Sequence, residues 1–216
     1  MSSKVQEGVE GEPLFSDLAE VQKRVWELLV RAANDRKSPM HTPTVATIGL
    51  DGGPRLRTVV LRRVVQESNE LFFHTDSRAI KISELQRDAR LSMHFYDAGK
   101  KTQIRLEGIA QVHTSGEVAD EQWSRSQPMS REIYRIPQPP GEVLETPGIE
   151  RPWLEDGREN FATVVLGPTR IEWLLLHHTQ HRRAEFVKRE TGGESGTESR
   201  SESHGESHWE SRWMVP

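Results

Sequence analysis

Arginines, a lysine and hydroxyl side chains recur at fixed places between residues 55 and 108. The run R-x-R-T-V-V-L-R-R covers Arg55–Arg63, and F-F-H-T-D-S-R-A-I-K follows over Phe72–Lys81. An apolar segment, Leu91–Tyr96, then precedes Q-I-R-L-E-G over Gln103–Gly108. A phosphate takes paired cations together with N–H or O–H donors. Arg57 opens an apolar strand. Thr75, Ser77 and Arg78 fall where a strand meets a helix start, itself favourable to anions. Lys81 stands about one helical turn after Arg78, so both can face one phosphate. Any single cation here is explained as well by ordinary surface charge. The ordered set points to a phosphorylated planar ligand held on a sheet surface.

These residues need a β framework, and the hydropathy pattern supplies one. Leu18, Val21, Val25, Leu28, Leu29 and Ala32 recur at helical spacing, so 17–34 reads as an amphipathic helix. Asp17 with Glu20 forms a capping-box-like start, and Ser16 is the other N-cap candidate. Strands are predicted at 44–50, 56–65 and 70–75, with Asp51-Gly52-Gly53 as a hairpin turn. A short helix over 77–87 follows. Strands at 90–96 and 103–112 come next, then a helix over 115–126. Residues 127–159, rich in Pro, Gly and charge, read as a long loop with a short helix at 130–135. Late strands are predicted at 161–166, 170–176 and 183–189. Short strands at close spacing with few helices predict a small barrel.

Composition bounds the rest. The chain has 216 residues, enough for one domain with a sizeable core. Its net charge of −4 gives no general affinity for nucleic acid or an anionic membrane. Cysteine is absent, which removes disulfides, thiol nucleophiles and Cys-based zinc sites and fits a reducing cytoplasm. No signal peptide and no apolar run of membrane-spanning length is visible. The default is a cytoplasmic protein. Residues 1–12 are expected to be a disordered arm, with one domain over 13–216. From Glu190 onward Glu returns at every fourth position as far as Glu210. Glu at i,i+4 repels, and Ser and Gly are poor helix formers. Residues 190–208 are therefore expected to be a solvated low-complexity loop inserted before a last strand. His177, His178 and His181 lack a carboxylate at ligand spacing, so no metal site is expected. Neither a P-loop nor a G-x-S-x-G motif is present.

Taken in order, the motifs over 55–108 resemble the FMN-binding split barrels of the pyridoxamine 5′-phosphate oxidase family. I-E-W (Ile171–Trp173), H-R-R-A-x-F (His181–Phe186) and the terminal W-x-x-x-W-M-V-P extend the likeness and look like a divergent branch. The resemblance implies a mainly β fold with flanking helices: a six-to-eight-stranded antiparallel split β-barrel, dimeric. It implies FMN as cofactor, with Arg57, Thr75, Ser77, Arg78 and Lys81 around the phosphate. Thr58, Val59, Val60, Leu61 and Arg62 would run under the flavin, with His74 at its edge. Gln103 would contact the ring. Because the family's site lies at a dimer interface, Gln138 and Trp173 are candidates from the second subunit, and a homodimer is implied. Arg105 and Glu107 are expected to form cross-strand ion pairs.

The expected activity is that of an FMN-dependent oxidoreductase, with hydride passing from a small, anionic substrate to flavin and reoxidation by oxygen or another acceptor. Arg62, His181, Arg182 and Arg183 are the candidates for the substrate. The likeness weakens there: the family's R-L-H segment is replaced by His181-Arg182-Arg183-Ala184-Glu185. Trp123 and Gln127 stand nearest the family's substrate-phosphate Tyr and Arg. The alternative is a non-catalytic flavin- or haem-binding barrel used for storage or sensing.

Overall fold

Residues 14–148, 153–178, 180–190 and 207–216 are described by the computed structural model. The expected arm over 1–12, and the predicted repeat loop from 191 to 206, lie outside them. The first helix, α1 (Leu18–Asn34), is capped by Asp17, whose carboxylate accepts from the Ala19 N–H at 2.9 Å. That settles the choice between Asp17 and Ser16. The periodic apolar positions Val21, Val25, Leu28, Leu29 and Ala32 are buried, joined by Trp26.

Strands β1 (Thr44–Ile48) and β2 (Pro54–Thr58) pair as a hairpin, with Gly52 at φ 83° in the turn. Strand β3 (Leu61–Val65) pairs with β4 (Glu70–Asp76). The single strand expected over 56–65 is thus two strands. Between them the Val59 N–H bonds the Pro43 carbonyl at 3.0 Å, outside either ladder. After β4 come α2 (Ile80–Arg87), β5 (Arg90–Asp97), β6 (Thr102–His113), α3 (Gly116–Arg125) and α4 (Pro128–Arg131). A 3₁₀ turn over Glu132–Arg135 continues α4. Strands β7 (Phe161–Leu175), β8 (Arg182–Glu190) and β9 (Ser207–Met214) complete the sheet.

The strand order β2-β1-β5-β6-β7-β4-β3 puts β2 and β3 at opposite ends of a seven-strand path. Yet only Val59 and Val60 separate them in sequence, a link that spans about 10 Å at most. The two edges must therefore meet, and the sheet rolls into a barrel of antiparallel strands. Seven strands fall within the expected six to eight, and β8 and β9 extend from β7. Two strands were expected over 161–176, but β7 is continuous. Its first half pairs with β4 and its second half with β8, while β6 follows it along the other edge. This divergence is the split in the barrel. Pro168 is accommodated by a bulge opposite Gly108. A Cβ on Gly108 would lie 2.2 Å from the Gly167 carbonyl oxygen.

Phe73, Phe95, Ile104, Leu106, Ile171, Trp173 and Phe186 fill the interior. Strand pairing takes in both ends of the predicted repeat loop, through Glu190 with Ser207 and Arg189 with His208. No described helix is long and apolar enough to cross a membrane.

Candidate functional site

Three of the residues expected around a phosphate come together where β2, β4 and α2 meet. Arg57 shares its face of the sheet with its register partner Val45 and looks toward α2. Its Nη2 donates to Glu84 Oε2 at 2.7 Å, and its Nη1 donates to Thr47 Oγ1. The Thr47 hydroxyl in turn donates to the same Glu84 oxygen at 2.6 Å. Lys81, one turn before Glu84, donates from Nζ to Thr75 Oγ1 at 2.8 Å. Burial lowers the Lys81 pKa first, and the Arg57 charge lowers it further; Asp76 and Glu84 act in the opposite sense. Two cations that sense each other lie on the same side of the molecule. No side chain caps α2, whose N-cap is Ala79. Two cations, a hydroxyl and a helix start fit an anion.

Ser77 and Arg78 do different work. The Ser77 N–H donates to the Asn160 carbonyl at 2.8 Å, and its hydroxyl donates to the Glu159 carbonyl at 3.3 Å. Arg78 grips Asp76 through Nε (2.9 Å) and Nη2 (2.7 Å). It also donates to the carbonyls of Pro137 (2.7 Å) and Ile136 (3.0 Å). The expected phosphate ligand is a clasp for the loop after α4, because a guanidinium offers donors in several directions at once.

Beyond Thr75 opens a cavity of about 450 Å³, walled by His74, Asp76, Tyr134, Ile136, Gln138 and Leu144 among others. Phe161 stacks edge-on to His74 at 4.8 Å and to Trp123 and Tyr134 at 5.2 Å. Burial holds the His74 imidazole down to about 4; the charge of Arg62 adds to this and a Gln122 hydrogen bond opposes it. Burial pushes the Tyr134 phenol up to about 12, with Arg62 opposing. Burial also lowers the Arg62 pKa. Arg62 Nε, His74 Nε2 and Gln138 Oε1 are buried with no hydrogen-bond partner among the described residues. Unpaired buried polar atoms are costly, so these three positions fit a ligand with a polar edge. A flavin ring, with its carbonyls and ring nitrogens, is such a ligand.

The remaining candidates lie elsewhere. Thr58 is exposed, Val59 and Leu61 are buried in the core, and Val60 is half-buried. Gln103 sits on the outer face of β6 and meets His94 at 3.1 Å. Strand alternation puts it with Tyr96, on the face opposite Arg57, so one chain does not bring Gln103 to the Arg57–Lys81 pair. Trp173, expected to contact the ring from a second subunit, is fully buried in the core with Phe15 edge-on at 6.2 Å, because it faces inward from β7. His181 is exposed. Arg182 donates to the Phe15 carbonyl and lies 6.0 Å from the Trp213 ring. Arg183 donates to Glu172 at 2.8 Å. Successive strand positions face opposite sides, so Arg182 and Arg183 do not converge on one anion. Arg105 pairs with Glu172 at 3.1 Å and Glu107 with Arg170 at 3.4 Å, the cross-strand pairs expected. The sequence reading missed Glu84, Thr47 and Tyr134. Only Glu84 left a trace: an acid at i+3 from Lys81 on a short helix.

Residues 23–114 match the family model of the pyridoxamine 5′-phosphate oxidase, FMN-binding domain. That span holds Arg57, Thr75, Lys81 and Glu84. The chain is 28% identical over 170 residues to pyridoxine/pyridoxamine 5′-phosphate oxidase 2 of Arabidopsis thaliana, covering 74% of this chain and 85% of that protein. It is 34% identical over 107 residues to the pyridoxine/pyridoxamine 5′-phosphate oxidase of Thermosynechococcus vestitus, and spans about half of that protein (49%). In structure it resembles a pyridoxamine 5′-phosphate oxidase-related, FMN binding protein of Nostoc punctiforme, with TM-score 0.66 and 20% identity, covering 90% and 96% of the two chains. PhzG of Burkholderia lata, solved with tetrahydrophenazine-1-carboxylic acid, gives TM-score 0.65 and 18% identity, covering 95% and 99%. These two likenesses establish the fold. Residues 23–114 are thus similar in sequence to the FMN-binding domain of pyridoxamine 5′-phosphate oxidases, and the chain as a whole shares their split-barrel fold.

Proposed function

We propose that the protein is an FMN-dependent oxidoreductase acting on a small anionic substrate. The observation that carries this reading is the convergence of Arg57, Thr75 and Lys81 beside a cavity whose wall holds the unpaired atoms of His74 and Gln138. Arg57, Lys81 and the Thr75 hydroxyl would hold the phosphate of FMN. Arg62, His74 and Gln138 would meet the polar edge of its ring. When bound, FMN supplies hydride acceptance and reoxidation by oxygen or another acceptor. The side chains supply the setting. His74 is neutral near pH 7 and offers either a donor or an acceptor. Tyr134 keeps its proton. The apolar side chains of Ile133, Ile136 and Leu144 in the cavity wall would keep water from the ring.

Gln103 would reach the cofactor from a second copy, which makes a homodimer part of the proposal. Arg62, at the ring edge beside His74, is also the candidate for the substrate's negative charge, since Arg182 and Arg183 face opposite sides of β8 and are turned to the Phe15 carbonyl and Glu172. A chain without cysteine suits the cytoplasm. Residues 13–216 would act as one cofactor-binding unit.

The test is direct. Purified protein should be yellow, release FMN on denaturation as identified by mass spectrometry, and rebind it in a titration. A substrate panel under air should then give turnover with peroxide release. A colourless protein that takes up no FMN would end the proposal. The engagement of Arg182 and Arg183 favours one second reading, a non-catalytic flavin- or haem-binding barrel. Turnover of any panel member removes it.

A further inference from the structure

We propose that Glu84 is a positioning residue that aims the Arg57 guanidinium at the phosphoryl group of the ligand. The inference rests on the FMN reading above. Glu84 faces inward from α2 with 2% exposure, beside Ile82 and Leu85. An apolar side chain would serve helix packing there, and a buried carboxylate persists only when it is paired. The pairing is a closed triangle. One Glu84 oxygen accepts from Arg57 at 2.7 Å and from Thr47 at 2.6 Å, while the Thr47 hydroxyl accepts from the other terminal nitrogen of Arg57. Thr47 is itself 2% exposed. Two buried side chains, from α2 and β1, thus fix two nitrogens of one guanidinium.

The need for this follows from where Arg57 sits. Its neighbours on β2 are exposed, and an arginine on such a strand samples many rotamers. Lys81, one helical turn before Glu84 on α2, carries a like charge that repels Arg57. The Glu84 charge offsets that repulsion from the buried side; with Nη1 also donating to the Arg55 carbonyl at 3.2 Å, the Nε–H and the second Nη2 N–H of Arg57 are left for an anion. A donor held in place before binding loses little rotamer freedom when the anion arrives.

The test uses the full chain with Glu84→Gln, which keeps the shape and removes the charge. FMN and riboflavin are titrated against parent and variant by flavin fluorescence, alongside thermal melts. The expected result is FMN affinity weakened by about tenfold or more, as for loss of a charge-assisted hydrogen bond, with riboflavin affinity unchanged. Equal or tighter FMN binding by Glu84→Gln overturns the inference, since Glu84 would then only compete with the phosphate. Equal loss of FMN and riboflavin overturns it too, because that is the mark of general damage. If Glu84→Gln does not fold, Thr47→Val removes the shared hydroxyl and must show the same selective loss of FMN. A parent chain that takes up no FMN sinks the functional proposal and this inference together. A parent that binds FMN normally, with variants indistinguishable from it, sinks this inference alone.

Discussion

Lys81 donates to the Thr75 hydroxyl at 2.8 Å, joining the start of α2 to the end of β4. The contact orients an ammonium that burial and Arg57 both disfavour. On the proposed reading, a lysine kept in such a place would hold the phosphate of FMN. Lys81→Met retains the apolar stem and removes the charge. We expect FMN affinity to fall by about 10- to 100-fold, the worth of a hydrogen bond to a charged group. Riboflavin, which lacks the phosphate, should bind the variant as it binds the parent. Equal losses for the two ligands would mean that the stem, not the charge, matters.

His74 ties stability to pH. Its native pKa of about 4 lies below the ordinary value of 6.5. Above pH 6.5 both folded and unfolded states hold the ring neutral, and the contribution to stability is complete. As pH falls from 6.5 toward 4 the unfolded chain takes up a proton that the native chain refuses, so stability is lost. The loss reaches about 3 kcal/mol at most, from the size of the shift. Urea midpoints should decline across that window, and His74→Phe should flatten the decline. An unchanged slope in the variant would assign the acid sensitivity to other groups.

Much of this molecule could be read from its residues, for identifiable reasons. Helix α1 was legible because its apolar positions repeat at helical spacing behind a capping Asp17. The β rhythm was legible because polar turns such as Asp51-Gly52-Gly53 interrupt apolar runs. Other features depend on partners far along the chain. Nothing local shows that Val59 bonds to Pro43 and leaves both ladders, so one strand was expected where there are two. Gly167-Pro168 looks like a break, but Gly108, 59 positions earlier, supplies the bulge that lets β7 continue. At the site, the structure brings together Arg57, Thr75 and Lys81, which type and order had singled out. The redirection of Arg78 was hidden because Asp76 and the carbonyls of Ile136 and Pro137 compete for it. The fate of Arg183 was hidden in the same way by Glu172, which lies on the adjacent strand.

Gly108 is a packing requirement rather than a turn. A Cβ there would meet the Gly167 carbonyl oxygen at 2.2 Å and the Pro168 Cα at 2.8 Å. Both are backbone atoms, so no side-chain rotation relieves the clash. Gly108→Ala should destabilise the fold by about 2–3 kcal/mol, the range for overpacking a close contact. Chemical denaturation would show it. Gly52→Ala makes a useful contrast, because that Cβ meets nothing and only the φ of 83° is strained. Comparable losses at both sites would contradict the close-contact account.

Arg78 gives the sharpest choice between sequence expectation and structure. By order in the chain it belongs to the phosphate group; by geometry it clasps Asp76 and the loop that walls the cavity. Asn160 supplies a second tie, donating to the Tyr134 carbonyl at 2.8 Å, and the Leu154 N–H donates to the Arg135 carbonyl at 2.8 Å while Arg135 Nε donates back to the Leu154 carbonyl at 2.8 Å. Arg78→Ala should therefore loosen the loop near 136–144 without unfolding the barrel. We expect faster amide exchange and earlier proteolysis there, with a global cost of about 1–2 kcal/mol for the lost charged hydrogen bonds. Arg78→Lys should restore little, since an ammonium cannot grip a carboxylate in bidentate fashion and reach two carbonyls at once. If instead the variant lost FMN affinity while loop exchange stayed at the parent rate, Arg78 would be a phosphate ligand and the clasp incidental.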